Sequence, residues 1–165
     1  MEDDKEKRSM NILLVEDNEA DVKITLRAFK KAELKNNMFI VNNGEEALKY
    51  IRNEGEYEDK DEHPVPDIIL LDINMPKADG FQVLDTLKND PKYCSIPVII
   101  LTSSKREEDI IKSYKKGAAS YIHKPVNYGD FVKVVEGFNF YWHLINRLPK
   151  GEEVLDDGKK DINNR

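Results

Sequence analysis

Asp72 closes an apolar run, Asp67-Ile68-Ile69-Leu70-Leu71, and stands where a buried strand would end. Five other polar residues follow apolar runs in the same way. Glu16 and Asp17 come after Asn11-Ile12-Leu13-Leu14-Val15. Thr102 and Ser103 come after Pro97-Val98-Ile99-Ile100-Leu101, and Lys124-Pro125 after Ser120-Tyr121-Ile122. Three carboxylates gathered at one point repel one another, and a hard divalent cation such as Mg2+ would relieve them. Mg2+ takes few protein ligands and keeps waters, which leaves room for phosphoryl oxygens. An aspartate can act as a nucleophile and carry an acyl phosphate. Lys124 offers a point charge to phosphoryl oxygens and Thr102 a hydroxyl donor. Positioning and charge neutralisation are nearly all that phosphoryl transfer needs.

For these residues to meet, the elements must place them at one edge of one sheet. The runs named above, with Met38-Phe39-Ile40-Val41, have the length and β-branched content of strands, and their lack of alternation suits strands covered on both faces. Between them lie helical stretches with capping signals: Asn18 with Asp21, Asn43 with Glu46, Asp79 with Gln82, Ser104 with Glu107, and Asn127 with Asp130. Their apolar positions include Val22, Leu26 and Phe29, then Ala47, Leu48 and Ile51, then Val83, Leu84 and Leu87, then Ile110, Ile111 and Tyr114. Gly55 and Gly117 suit helix exits. Five β-then-α units predict a doubly wound α/β fold: a five-stranded parallel sheet in flavodoxin-like order 2-1-3-4-5 with five helices. Ligands of such sheets bind outside the carboxyl ends of the strands, where the acids, the hydroxyl and the ammonium converge.

The rest of the chain sets limits. With 165 residues it has room for one domain with a sizeable core. Residues 10–148 are expected to form it, with 1–9 and 149–165 as flexible ends. Residues 54–66 form a charged loop with two prolines. A single cysteine, Cys94, precludes an internal disulfide, and together with the charged N-terminus points to a cytoplasmic setting. No apolar stretch is long enough for a membrane span. A net charge of −6 disfavours nucleic acid as a partner, and too few residues follow Leu148 for a helix-turn-helix module.

Val15-Glu16-Asp17-Asn18, Leu71-Asp72-Ile73-Asn74-Met75-Pro76, Asp79-Gly80, Leu101-Thr102-Ser103 and His123-Lys124-Pro125 resemble the receiver domain of two-component response regulators. Asp72 to Thr102 is 30 positions and Thr102 to Lys124 is 22, which also fits. The resemblance implies that Asp72 accepts a phosphoryl group from a sensor histidine kinase, and that Glu16, Asp17, Asp72 and the main-chain carbonyl of Asn74 hold Mg2+. It implies a switch in which Thr102 moves toward the phosphoryl group and Tyr121 turns inward, and a cis peptide bond at Lys124-Pro125. Asn74 and Ser104 fall where this family tunes acyl-phosphate hydrolysis. The 54–66 loop, Leu101-Thr102-Ser103-Ser104, Glu107-Glu108-Asp109-Ile110 and the terminal Tyr141-Trp142 and Leu148-Pro149 resemble more narrowly the single-domain regulators associated with phytochromes.

Other classes fit less well. A phosphatase of the haloacid dehalogenase type wants a second aspartate two positions after the nucleophile, and Asn74 stands there instead. A flavin or small-molecule binder would need a glycine- or hydroxyl-rich phosphate loop after the first strand, where this chain has two acids. Singly, Tyr121 reads as edge-strand packing, Gly80 as a helix-start residue, Met75-Pro76 as loop-shaping, and His123 as a side chain facing solvent. On the last helix, Phe131, Val134, Val135, Phe138, Trp142 and Ile145 form one stripe and are expected to face the core. Phe140 and Leu144 fall on the opposite side with Tyr141 on a flank, which suggests an interface: a homodimer, or kinase docking, through the fifth strand and fifth helix.

Overall fold

The structure, a computed structural model, describes residues 9–75, 79–103, 106–124 and 128–145, with side chains through residue 138. Five strands and five helices alternate: β1 (Met10–Val15), α1 (Glu19–Lys31), β2 (Asn36–Val41), α2 (Gly44–Ile51), β3 (Ile68–Asp72), α3 (Gly80–Lys88), β4 (Val98–Thr102), α4 (Glu107–Lys115), β5 (Ser120–His123) and α5 (Tyr128–Ile145). The strands form one parallel sheet in the order β2-β1-β3-β4-β5. The expected architecture therefore holds.

Successive strand residues face opposite sides, so one sheet supports two cores. Leu13, Val15, Ile69, Leu71, Val98 and Ile100 pack with Ala47, Tyr50 and Ile51 of α2 and Val83, Leu84 and Leu87 of α3. Ile12, Leu14, Ile68, Leu70, Ile99 and Leu101 pack with Phe29 of α1 and Phe131, Val135 and Phe138 of α5. Phe29 meets Phe131 edge-on at 6.4 Å and Phe138 at 6.0 Å, locking α1 to α5. The inner strands β3 and β4 are buried throughout. The edge strands β2 and β5 are only half-buried, because a single neighbour covers each.

Three expected caps form. Asn18 accepts from the Asp21 amide, Asn43 from the Glu46 amide, and Asp79 makes a full capping box with Gln82. The fourth does not: α4 begins at Glu107 behind Arg106, so Glu107 cannot be the third residue of a box opened by Ser104. Glu107, Glu108 and Asp109 instead place negative charge at the helix start, where the dipole favours it. Ser104 and Asn127 lie outside the described residues. Gly117, at φ +98°, ends α4 as expected. At α2 the left-handed exit is Asn53 (φ 53°), and Gly55 instead opens a short 3-10 turn, Gly55–Tyr57.

Several apolar side chains point the other way from expectation. Leu26, Ile111, Tyr114 and Val134 are exposed. The buried residue of α4 is Ser113, whose hydroxyl donates to the Asp109 carbonyl, so that helix rests on the sheet through a small polar side chain. The charged 54–66 loop is more ordered than its composition suggests. Tyr50, Tyr57 and His63 cluster with ring centroids 5.2–5.6 Å apart, the His63 ring edge-on to both tyrosines. The Tyr57 hydroxyl donates to Glu46 at 2.6 Å, and Asn53 donates to the carbonyls of Tyr57 and His63.

Candidate functional site

The strand order makes β1, β3, β4 and β5 successive neighbours, so their carboxyl ends share one edge. Asp72 is the last residue of β3 and Thr102 the last of β4. Glu16 follows β1, held by a hydrogen bond its main-chain amide donates to the Val41 carbonyl, and Lys124 follows β5, its main-chain amide donating to the Thr102 carbonyl. Glu16, Asp72, Thr102 and Lys124 are all buried, while Asp17 is exposed. One carboxylate oxygen each from Glu16, Asp17 and Asp72 lies within 4.8 Å of the others. Three hard oxygen donors at that separation fit a small divalent cation.

Lys124 is the counter-charge. Its Nζ donates to Glu16 Oε2 and, at 3.0 Å, to Asp21 Oδ2. Asp72 Oδ2 lies 3.5 Å away, beyond a good hydrogen bond but within strong Coulombic reach. Burial pushes the Glu16 carboxyl up to about 7, and the Asp72 charge adds to the push. The Lys124 ammonium and the Asn18 amide pull it back only in part. For Lys124, burial works to lower the ammonium. Its bond to Glu16, the Asp72 charge and its bond to Asp21 outweigh that, and the net direction is upward.

The loop after β3 is tied at both sides. The Asn74 amide donates to Asp72 Oδ1 at 2.9 Å, orienting the carboxylate. The Asn74 side chain donates to the Thr102 hydroxyl at 2.8 Å. Gly80 closes the site from below: a Cβ there would stand 2.7 Å from the Asp72 carbonyl oxygen and 2.5 Å from Ile73 Cα. Helix α3 can reach the end of β3 only because residue 80 has no side chain.

Tyr121 lies on the edge strand β5, half-buried and packed against the α2–α3 core. His123 departs from expectation. It is half-buried rather than solvent-facing, since the register sets it opposite the fully buried Thr102, and its Nε2 is buried with no hydrogen-bond partner among the described residues. Pro125 and the side chains of Phe140, Tyr141 and Leu144 lie outside the described residues. Two contributors were not read as site residues from the sequence. Asp21 looked like a helix-capping partner, and its position four residues after Asp17, one helical turn on, was the available signal. Gly80 looked like a helix start, and its place next to the Asp79 cap carried no sign of the close approach.

The sequence profile of the response regulator receiver domain family matches residues 12–136. Response regulator Rcp1 of Synechocystis sp. is 38% identical over 138 residues, 84% of this chain and 92% of the relative. A crystal structure of the phosphorylated cyanobacterial phytochrome response regulator RcpA superposes with a TM-score of 0.72 at 38% identity, covering 82% of this chain and 94% of that one. The Mn2+-bound form of Rcp1 superposes with a TM-score of 0.71 at 38% identity, covering 81% and 94%. This chain belongs to the response regulator receiver domain family of two-component signalling and is related to its phytochrome-linked members.

Proposed function

We propose that the protein is a phosphoacceptor in which Asp72 receives a phosphoryl group from a sensor histidine kinase, of phytochrome type by its relatives. The observation that carries this reading is the placement of Asp72 Oδ2 at 3.5 Å from Lys124 Nζ inside a cluster of three carboxylates. In the transfer, the N–P bond of a kinase phosphohistidine, protonated on its other ring nitrogen, breaks as an O–P bond to the Asp72 carboxylate forms, and the electron pair of the broken bond stays on the ring, which leaves as neutral imidazole. Glu16, Asp17, Asp72 and the main-chain carbonyl of Asn74 would hold Mg2+, which when bound supplies positive charge against the phosphoryl oxygens. Lys124, beside Asp72, supplies a second positive charge. The Asn74 amide fixes which Asp72 oxygen is free to attack.

The signal is the position of Thr102. Its hydroxyl turns to donate to a phosphoryl oxygen, and Tyr121 fills the space vacated at the half-buried β5 edge. The protein assists its own phosphorylation and dephosphorylation but transforms no separate substrate. The unit that does this is residues 10–148, working in the cytoplasm; among the described residues no helix is long and apolar enough to cross a membrane. Homodimerisation through β5 and α5, with Phe140, Tyr141 and Leu144 in the contact, completes the reading. Sedimentation of the protein and of Phe140→Asp, Leu144→Asp tests that part: equal masses would remove the dimer.

The phosphoacceptor reading is tested by incubation with acetyl phosphate and Mg2+, followed by intact mass. The parent should gain one phosphoryl group and Asp72→Asn none. Equal labelling of both would overturn it.

A further inference from the structure

Lys124 is held by an acid that the metal and phosphoryl readings leave unused. Asp21 Oδ2 accepts from Lys124 Nζ at 3.0 Å, across 103 positions of sequence. The Asp21 backbone is fixed in the first turn of α1, where its amide donates to Asn18 at 3.1 Å, so the carboxylate is presented from a rigid element. Glu16 holds the same ammonium from the buried side, with a side chain only 1% exposed against 32% for Asp21. Glu16 is thus asked to serve two cations: the ammonium it contacts now, and the divalent ion that its cluster with Asp17 and Asp72 fits. A carboxylate that turns toward a metal gives up part of its hold on a lysine. Lys124 would then be left in a buried site with Asp72 at 3.5 Å and no close partner, unless another anion kept it in place.

We propose that Asp21 is a positioning residue for Lys124: it is the standing counter-ion that lets Glu16 exchange lysine for a divalent cation while the ammonium stays beside Asp72. The inference rests on the metal reading given above. Asp21 is not one of the three clustered carboxylates, and acts only through Lys124. Removing its charge concentrates Lys124 on Glu16, so that freeing Glu16 costs more and the cation binds more weakly.

Calorimetric titration with Mg2+ alone tests this without any phosphoryl donor. Asp21→Asn should weaken binding by about three- to tenfold. Glu19→Gln removes one negative charge from the same helix turn and should change binding by about twofold or less, because the ion partners of Lys124 among the described residues are Glu16, Asp21 and Asp72. In a Lys124→Met background, Asp21→Asn should add no further loss. An unchanged affinity in Asp21→Asn, an equal loss in Glu19→Gln, or a loss that persists without Lys124 would each overturn the proposal. No Mg2+ binding by the parent would overturn the metal reading and this inference with it, while leaving acyl-phosphate labelling of Asp72 as a separate outcome. If Lys124→Met does not fold, the Lys124 side-chain carbon resonances decide. With Mg2+ they should remain those of an ordered side chain in the parent and average in Asp21→Asn; equal order in both would overturn it.

Discussion

The Asn74 side-chain amide donates to the Thr102 hydroxyl at 2.8 Å, joining the ends of β3 and β4 across 28 positions of sequence. This bond ties the loop that carries the acceptor to the residue proposed to report its phosphorylation. Thr102 is fully buried, where the bond from the Asn74 amide orients its hydroxyl away from solvent. Asn74→Leu should cost about 1 kcal/mol of stability in urea unfolding. It should also shift the Thr102 methyl resonance in the unphosphorylated protein. An unmoved resonance would mean that the bond does not hold Thr102 at rest.

Gly80→Ala should be costly for a different reason. The atoms its Cβ would meet, Asp72 O at 2.7 Å and Ile73 Cα at 2.5 Å, are backbone and cannot rotate away. Either α3 lifts or the end of β3 shifts, at a cost of about 1–3 kcal/mol. Because that strand end carries Asp72, labelling by acetyl phosphate should slow as well. Gly137→Ala is the contrast: no described atom lies within 4 Å of its added Cβ, and it should be neutral or slightly stabilising. Thermal unfolding of the two variants and timed labelling of Gly80→Ala check both statements.

Glu16 makes metal-free stability depend on pH. Its carboxyl sits at about 7 in the fold, chiefly through burial, against 4.5 for the free group. Below about 4.5 both states are protonated and the contribution is fully present. As pH rises, the unfolded chain releases this proton first, and the contribution is lost through pH 7. The loss is at most on the order of 3 kcal/mol. Measured in chelator, the melting temperature of the parent relative to Glu16→Gln should therefore fall between pH 4.5 and pH 8. A flat difference would show that Glu16 ionises freely. Adding Mg2+ at pH 8 should raise the melting temperature of the parent by mass action.

Tyr57→Phe tests the order of the 54–66 loop. Burial and then the Glu46 carboxylate push the Tyr57 hydroxyl well above its usual range, so it stays a donor at any ordinary pH. Loss of its 2.6 Å bond to Glu46 should cost about 1 kcal/mol and speed proteolysis within residues 54–66. Cleavage at the parent rate would mean that the Tyr50–Tyr57–His63 ring cluster holds the loop without that bond.

The strands, their order, three of the helix caps and the convergence of Glu16, Asp17, Asp72, Thr102 and Lys124 on one edge of the sheet were all legible in the chain. Hydrophobic runs and capping residues act over a few positions, and a parallel sheet places whatever follows its strands at one edge. Periodicity said less about which apolar residues are buried, and Leu26, Ile111, Tyr114 and Val134 face outward because helix rotation is set by what packs beneath. The bond between Asn74 and Thr102, the hold of Asp21 on Lys124, and the missing room above Gly80 were decided by tertiary structure alone. Each depends on two elements meeting at a distance of a few ångströms, and residue type and spacing in a sequence carry no record of that distance.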